Sequence, residues 1–131
     1  MMAQMPQTQL RVRNATRDTL IADRAVVAGT SKERRTGLLK RTGLEAGEGM
    51  WIAPCECIHT FGMKFPIDVL FLSKKRTVVK IAAAVPRRRI SAAWLAHSVL
   101  ELPAGTIAQT QTAVGDQLVI EKWGQTPFPP L

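Results

Sequence analysis

The segment Cys55–Leu72, CECIHTFGMKFPIDVLFL, decides how this chain folds and carries its candidate site. It contains both cysteines of the sequence and one of its two histidines. In its last part, Ile67–Leu72, both alternating faces are apolar except at Asp68, which predicts a strand that is covered on both sides. We therefore expect a β-rich core with a site beside this segment.

Short strands with turn signals continue on both sides of the quoted segment. Six further strands are predicted, at Leu10–Arg13, Thr19–Ala28, Met50–Ile52, Thr77–Val85, His97–Leu102 and Gln117–Lys122. Thr30 and Glu33 have the spacing of a capping box and predict a short helix that starts at Ser31 and ends near Gly43, and a turn or second helix is expected around Thr106–Gln111. The pattern predicts a mainly β fold, a small antiparallel sandwich or barrel-like domain with one or two short helices.

The composition fits a soluble domain. With 131 residues, 46% of them hydrophobic, the chain is long enough to bury a core without disulfides. We expect a flexible tail over residues 1–8, a single β-rich domain over 9–123 and a loose tail over 124–131. No export signal is recognised and no apolar run reaches about 18 residues, so a cytoplasmic protein with reduced thiols and no membrane partner is predicted.

The charge of the chain is strongly positive, with 18 Lys and Arg against 10 Asp and Glu, or +8 at pH 7. Part of the excess forms a predicted anion patch, made of Lys74, Lys75, Arg76, Arg87, Arg88 and Arg89. Such a patch favours weak binding to anions or nucleic acid. Because Tyr is absent and aromatic residues make up 5%, the stacking platforms of single-strand binders are not expected.

Acidic residues inside apolar strands need partners, because an unpaired buried carboxylate costs several kcal/mol. For Asp68, bonds from the backbone amides of a loop are the structural interpretation. Glu101 lies between two leucines, and a salt bridge to Arg34 or Arg41 is predicted. Together with Glu33 in the first helix, Arg34 and Glu101 form the predicted set of structural ion pairs.

The candidate ligand-binding residues share the quoted segment and are Cys55, His59, Thr60, Met63 and Asp68. If residues 62–65 form a four-residue hairpin loop, His59 lies opposite Asp68 on the partner strand. Opposed residues have Cβ atoms about 4.5–5.5 Å apart, close enough for the imidazole to bond the carboxylate. We therefore predict a His59–Asp68 contact.

Metal binding and covalent catalysis are weaker interpretations of the same residues. The pattern Cys-x-Cys-x-His offers two sulfurs and an imidazole to Cu(I) or Zn²⁺, but its spacing matches no common zinc pattern. Cys, His and Asp could form a nucleophile and base, yet residues two apart on one strand lie side by side and do not converge on a substrate. We predict no metal, no cofactor and no catalytic residue.

An ordered set of short motifs resembles the bacterial and archaeal family called domain of unknown function 192. The motifs are Glu33-Arg34, Gly37-Leu38, Gly49-Met50, Cys55–Asp68, Phe71, Val99–Gly105 and Val114–Asp116. The resemblance runs from about Val26 to Ile120 and implies a small mainly β domain of sandwich character with no established activity. Many relatives have Trp-Met-Lys-Asn where this chain has residues 59–62, so a chemistry that needs His59 would not be general to the family.

These observations predict a small domain that binds a ligand or a protein partner at a pocket beside the Cys55–Asp68 hairpin. One alternative is an enzyme that uses the Cys, His and Asp side chains of that hairpin. Another is an accessory protein that binds anions or nucleic acid weakly.

Overall fold

The computed structural model describes residues 8–125, apart from residues 37, 40, 56, 60–62 and 94. Within this part, the strands are β1 (Thr8–Asn14), β2 (Thr19–Ala28), β3 (Glu48–Ile52), β4 (Cys57–His59), β5 (Ile67–Leu72), β6 (Val78–Val85), β7 (Ile90–Ala92), β8 (Ser98–Pro103) and β9 (Leu118–Gln125). Two short helices accompany them, α1 (Ser31–Thr36) and α2 (Thr106–Thr110). The predicted mainly β fold is confirmed.

Seven of these strands form one sheet in the order β6-β5-β8-β3-β2-β1-β9, and β4 and β7 form a separate two-stranded sheet. All neighbours are antiparallel except β2 and β3, which run parallel because the connection through α1 carries the chain back to the same end of the sheet. A bridge between Thr77 and Gln117 joins the ends of the two edge strands, so the large sheet curls into a half-barrel. The parallel pair departs from the predicted antiparallel order.

Both faces of the large sheet are covered by apolar side chains, as the pattern of β5 predicts. All six residues of β5 are buried. Leu70 and Leu72 belong to a first core, which also takes in side chains of β1, β2, β9 and α2. Val69 and Phe71 face a second core, on the opposite side of the sheet, where the segments after α1 and around residues 55–65 pack. This second core contains Met63, and Cys55 packs against it.

The ends of the described strands differ slightly from the predicted domain limits. Strand β1 begins at Thr8 and β9 runs to Gln125, so Thr8, Gly124 and Gln125 are paired in strands although they were assigned to the tails. Helix α1 ends at Thr36, short of the predicted end near Gly43. No helix in the described part of the chain is long and apolar enough to cross a bilayer.

The capping box at the start of α1 is confirmed. The Glu33 amide donates to Thr30 Oγ1 at 3.1 Å, and the Thr30 amide donates to Glu33 Oε1 at 2.9 Å. These bonds with Thr30 lower the pKa of the Glu33 carboxyl. Two donors that the helix itself leaves unsatisfied are thus bonded reciprocally.

We expect Thr30→Ala to lower the free energy of unfolding by about 1 kcal/mol, the usual effect of losing a hydroxyl N-cap. The measurement is urea unfolding followed by circular dichroism. Thr42→Ala is the matched control, because Thr42 is exposed in the loop before β3. Equal effects of the two substitutions would contradict a capping role for Thr30.

Candidate functional site

The Asp68 carboxylate lies at the junction of three elements and is 1% exposed. Its Oδ1 accepts the amide N–H of Ala84 in β6 at 2.7 Å. Its Oδ2 accepts two amide N–H groups, from Gly105 at 3.1 Å and from Ile107 in the first turn of α2 at 2.9 Å. Both oxygens are therefore occupied by backbone donors, as the structural interpretation of Asp68 predicts.

Two unusual backbone conformations accompany the donors around Asp68. Gly105 has φ of +97°, in the left-handed region that favours glycine, and it forms the N-cap of α2. Ala84 has φ of +49°, which is rare for a residue with a Cβ atom. Since both amides donate to the carboxylate, Asp68 stabilises these conformations and ties β5 to β6 and to the turn before α2.

The predicted pairing that places His59 opposite Asp68 is wrong. Strand β4 pairs with β7, and His59 lies opposite Ile90. Asp68 lies opposite Leu102, because β5 has β8 on one side and β6 on the other. Both edges of β5 are thus occupied, and no edge remains for β4. The Cys55–Asp68 segment is not a hairpin.

Two of the other predicted ligand-binding residues lie at the second core. Met63 is buried in it and Cys55 packs against it. The Cys55 amide donates to the His97 carbonyl at 2.8 Å, and a shallow cavity of about 340 Å³ is lined by Pro54, Cys55, Ala96 and His97. Thr60 and the side chain of His59 lie outside the described part. His97 was missed as a site residue, because the sequence shows it only as the start of a strand.

Glu101 in β8 is the most unusual group on the side of the sheet that faces the second core. Its direct neighbours across the sheet are Met50 in β3 and Val69 in β5, both members of that core. The residue is 5% exposed. None of the hydrogen bonds or salt bridges within the described part of the chain uses its carboxyl group. Burial raises the pKa of Glu101 to about 7.

The predicted ion-pair partners of Glu101 are used elsewhere. Arg41 forms a salt bridge with Glu48 at 2.9 Å. Arg34 donates to the Gly29 carbonyl, and to Ser31 Oγ at 3.4 Å. Among the described residues, therefore, no salt bridge joins Glu101 to either arginine. Arg34 bonds to nearby oxygens of its own segment instead, and Arg41 pairs with Glu48.

A second buried polar cluster, centred on Asp116, joins residues near the two ends of the described chain. The sequence pattern did not predict it. The Asp116 carboxylate is 3% exposed, and its Oδ2 accepts bonds from Asn14 Nδ2 at 2.9 Å, Arg17 Nε at 3.0 Å and the Ala113 amide at 2.9 Å. The side-chain bond from Asn14, with the help of Arg17, lowers the pKa of Asp116. Every donor comes from the protein, so the cluster acts as a structural link between the β1–β2 turn and the turn before β9.

The predicted anion patch is divided in two. Lys74, Lys75 and Arg76 lie in the turn between β5 and β6, whereas 87–89 lie in the turn between β6 and β7. Strand β6 separates them with eight residues, a span of roughly 25 Å. The two groups of basic residues therefore cannot contact one small anion together.

The described residues do not test whether Cys55, Cys57 and His59 bind a metal, so the expected lack of a metal stays a prediction. Within the described residues, no group of three or more His, Cys, Asp or Glu side chains is close enough to hold a metal ion. The side chains of Cys57 and His59, which the Cys-x-Cys-x-His interpretation requires, lie outside that part.

Comparison with known proteins shows similarity over most of the chain. The profile of domain of unknown function 192, described as "Uncharacterized ACR", matches residues 12–120. A UPF0127 protein from Thermococcus sibiricus is 30% identical over 110 residues, which cover 80% of this chain and 71% of the relative.

Two solved structures share the fold. A protein of unknown function from Novosphingobium aromaticivorans matches with a TM-score of 0.74 at 25% identity, over 89% of this chain and 94% of that one. A Sinorhizobium meliloti protein proposed to be a transcription regulator matches with a TM-score of 0.72 at 21% identity, over 91% of this chain and 96% of that one. At that identity the second match shows the fold alone.

Proposed function

Because this chain belongs to the family called domain of unknown function 192, whose description assigns no activity, we propose its function from its own side chains. The domain binds a ligand or a protein partner that carries a hydrogen-bond donor, and the Glu101 carboxyl accepts that hydrogen bond. The site lies between the large sheet and the segment that carries Cys55 and Met63. The bound group is an amine, amide or similar N–H donor.

The observation that carries this proposal is that the Glu101 carboxyl is buried without a hydrogen-bond donor among the described residues. A carboxyl group that is 5% exposed and lacks a donor within the described residues either keeps its proton or must find a partner from outside. Natural cores rarely keep such a group without a role, since an apolar side chain of the same volume would pack there without desolvation cost. An incoming N–H donor would supply the missing bond.

A binding role is favoured over catalysis by the position of Asp68. An enzyme built on Cys, His and Asp needs the carboxylate to orient the imidazole. Both oxygens of Asp68 are already occupied by three backbone amides. We therefore propose a binding domain and assign no covalent step to it. A cytoplasmic location with reduced thiols is part of the same proposal and rests on the sequence alone.

Native mass spectrometry of freshly isolated protein tests the proposal. The expected spectrum contains a second species heavier by a fixed mass, in which the ligand remains bound. Glu101→Gln should lower the bound fraction, because a neutral amide oxygen accepts a weaker hydrogen bond from an N–H donor than a carboxylate does.

Glu121→Gln is the matched control, since Glu121 is exposed on β9 and the substitution removes the same charge. It should leave the heavier species unchanged. A spectrum without any bound species, or a bound fraction that Glu101→Gln leaves unchanged, would refute the proposal.

A further inference from the structure

Arg76 and Trp51 form a stacked pair on the other side of the sheet, where Trp51 packs against the first core. The guanidinium carbon of Arg76 lies 5.1 Å from the centroid of the Trp51 ring. The indole N–H of Trp51 donates to Ser98 Oγ at 2.9 Å, and Ser98 is fully buried. The ring is therefore held in a fixed orientation beneath the cation, an arrangement that cation–π attraction favours.

Hydrogen bonds of the backbone also fix Arg76, in a conformation that is energetically unfavourable. Its φ of +66° lies in the left-handed region, which is unfavourable for a residue with a Cβ atom. The surrounding turn is fixed by two bonds, from the Arg76 amide to the Ser73 carbonyl at 2.9 Å and from the Leu118 amide to the Arg76 carbonyl at 3.0 Å. Gln117 Nε2 further donates to the Lys75 carbonyl. Strain of this kind is often found where a side chain must be presented in one direction.

The Arg76 guanidinium has no hydrogen-bond acceptor in the described part of the chain. Arg76 Nε is buried and makes no hydrogen bond there, and none of the salt bridges includes Arg76. An arginine fork offers five N–H donors in a geometry that matches an oxyanion. The terminal nitrogens of Arg76 are thus positioned but unused.

We propose that this end of the half-barrel is an oxyanion site, in which the terminal nitrogens of Arg76 bind a phosphate group. Lys74 and Lys75 are exposed in the same turn and raise the positive potential around it. That extra charge favours a doubly charged phosphate over a single carboxylate. The site is independent of the site proposed at Glu101, which lies on the opposite face of the sheet.

Titration of ¹⁵N-labelled protein with inorganic phosphate tests the site, at constant ionic strength maintained with chloride. We expect saturable shifts of the Arg76 Nε–H and Trp51 indole signals. Arg76→Asn should weaken binding at least roughly tenfold, the effect of losing a charge-assisted bond. Asparagine tolerates a left-handed backbone, so this variant should stay folded and lose only the small stabilisation of the cation–π contact.

Arg88→Asn is the matched control, because Arg88 also has a left-handed φ, of +63°, and is exposed at the other end of β6. It should change the affinity by less than about twofold, the small effect of a distant screened charge. Arg76→Lys keeps the charge without the planar fork and should bind more weakly than the parent. Equal weakening by the two asparagine variants, full affinity in Arg76→Lys, or shifts that never saturate would each overturn the proposal.

Discussion

Replacing Asp68 by asparagine is expected to lower the free energy of unfolding by roughly 3 kcal/mol. The carboxylate accepts three backbone N–H groups while almost fully buried. Asparagine offers one oxygen and one NH₂ group, so at least one buried amide must face another donor. The remaining bonds also lose the strength that a charged acceptor gives them. Urea unfolding at neutral pH measures the effect.

Asp18→Asn provides the matched control for that substitution. The Asp18 side chain is 94% exposed, its salt bridge to Arg13 is long at 3.7 Å, and its φ of +56° suits asparagine. This change should alter stability by less than about 0.5 kcal/mol. If both variants were equally stable, the three amide bonds would not carry the role assigned to Asp68.

Glu101→Gln is expected to make the protein more stable at pH 8 and to flatten its stability between pH 5 and 8. The unfolded chain ionises Glu101 near its ordinary pKa of 4.5, whereas the folded chain does so at about 7. Folding therefore favours the protonated carboxyl, and wild-type stability falls as the pH rises through this interval. The loss amounts to roughly 3 kcal/mol at pH 8, in the absence of ligand.

The measurement is urea unfolding of wild type and variant at pH 5 and pH 8. Any constant cost of burying the glutamine amide cancels when the two pH values are compared. Glu121→Gln serves again as the exposed control and should leave the pH dependence unchanged. A wild-type stability that does not fall between the two pH values would show that the Glu101 carboxyl is paired.

Local sequence patterns predicted the elements of this fold well. Strand signals located β2 and β5 within one residue, β5 through a run that is apolar on both faces, and the spacing of Thr30 and Glu33 located the start of α1. The isolated Asp68 in an apolar strand correctly indicated backbone amide partners. In each case the signal lies within about ten residues, where side-chain periodicity and capping act.

What the sequence did not predict are the long-range pairings. Strand β5 has β8, about thirty residues later, as one neighbour and β6 as the other, so β4 cannot pair with β5 and His59 does not lie opposite Asp68. A count along a supposed hairpin loop cannot reveal that competing strand. Glu101 was recognised as unusual, but the sequence did not show that Arg41 pairs with Glu48 instead. That pairing depends on the tertiary structure.

Titration of the Glu101 side-chain carboxyl, followed by ¹³C NMR, shows whether this group binds an N–H donor from a ligand. It compares protein as isolated with protein unfolded, dialysed and refolded to remove any ligand. We predict a midpoint near 7 in the refolded protein, as burial dictates, and a lower midpoint in the protein as isolated, because an N–H donor favours the ionised carboxylate. An ordinary midpoint near 4.5 in the refolded protein, or the same midpoint in both samples, would contradict a ligand site at Glu101.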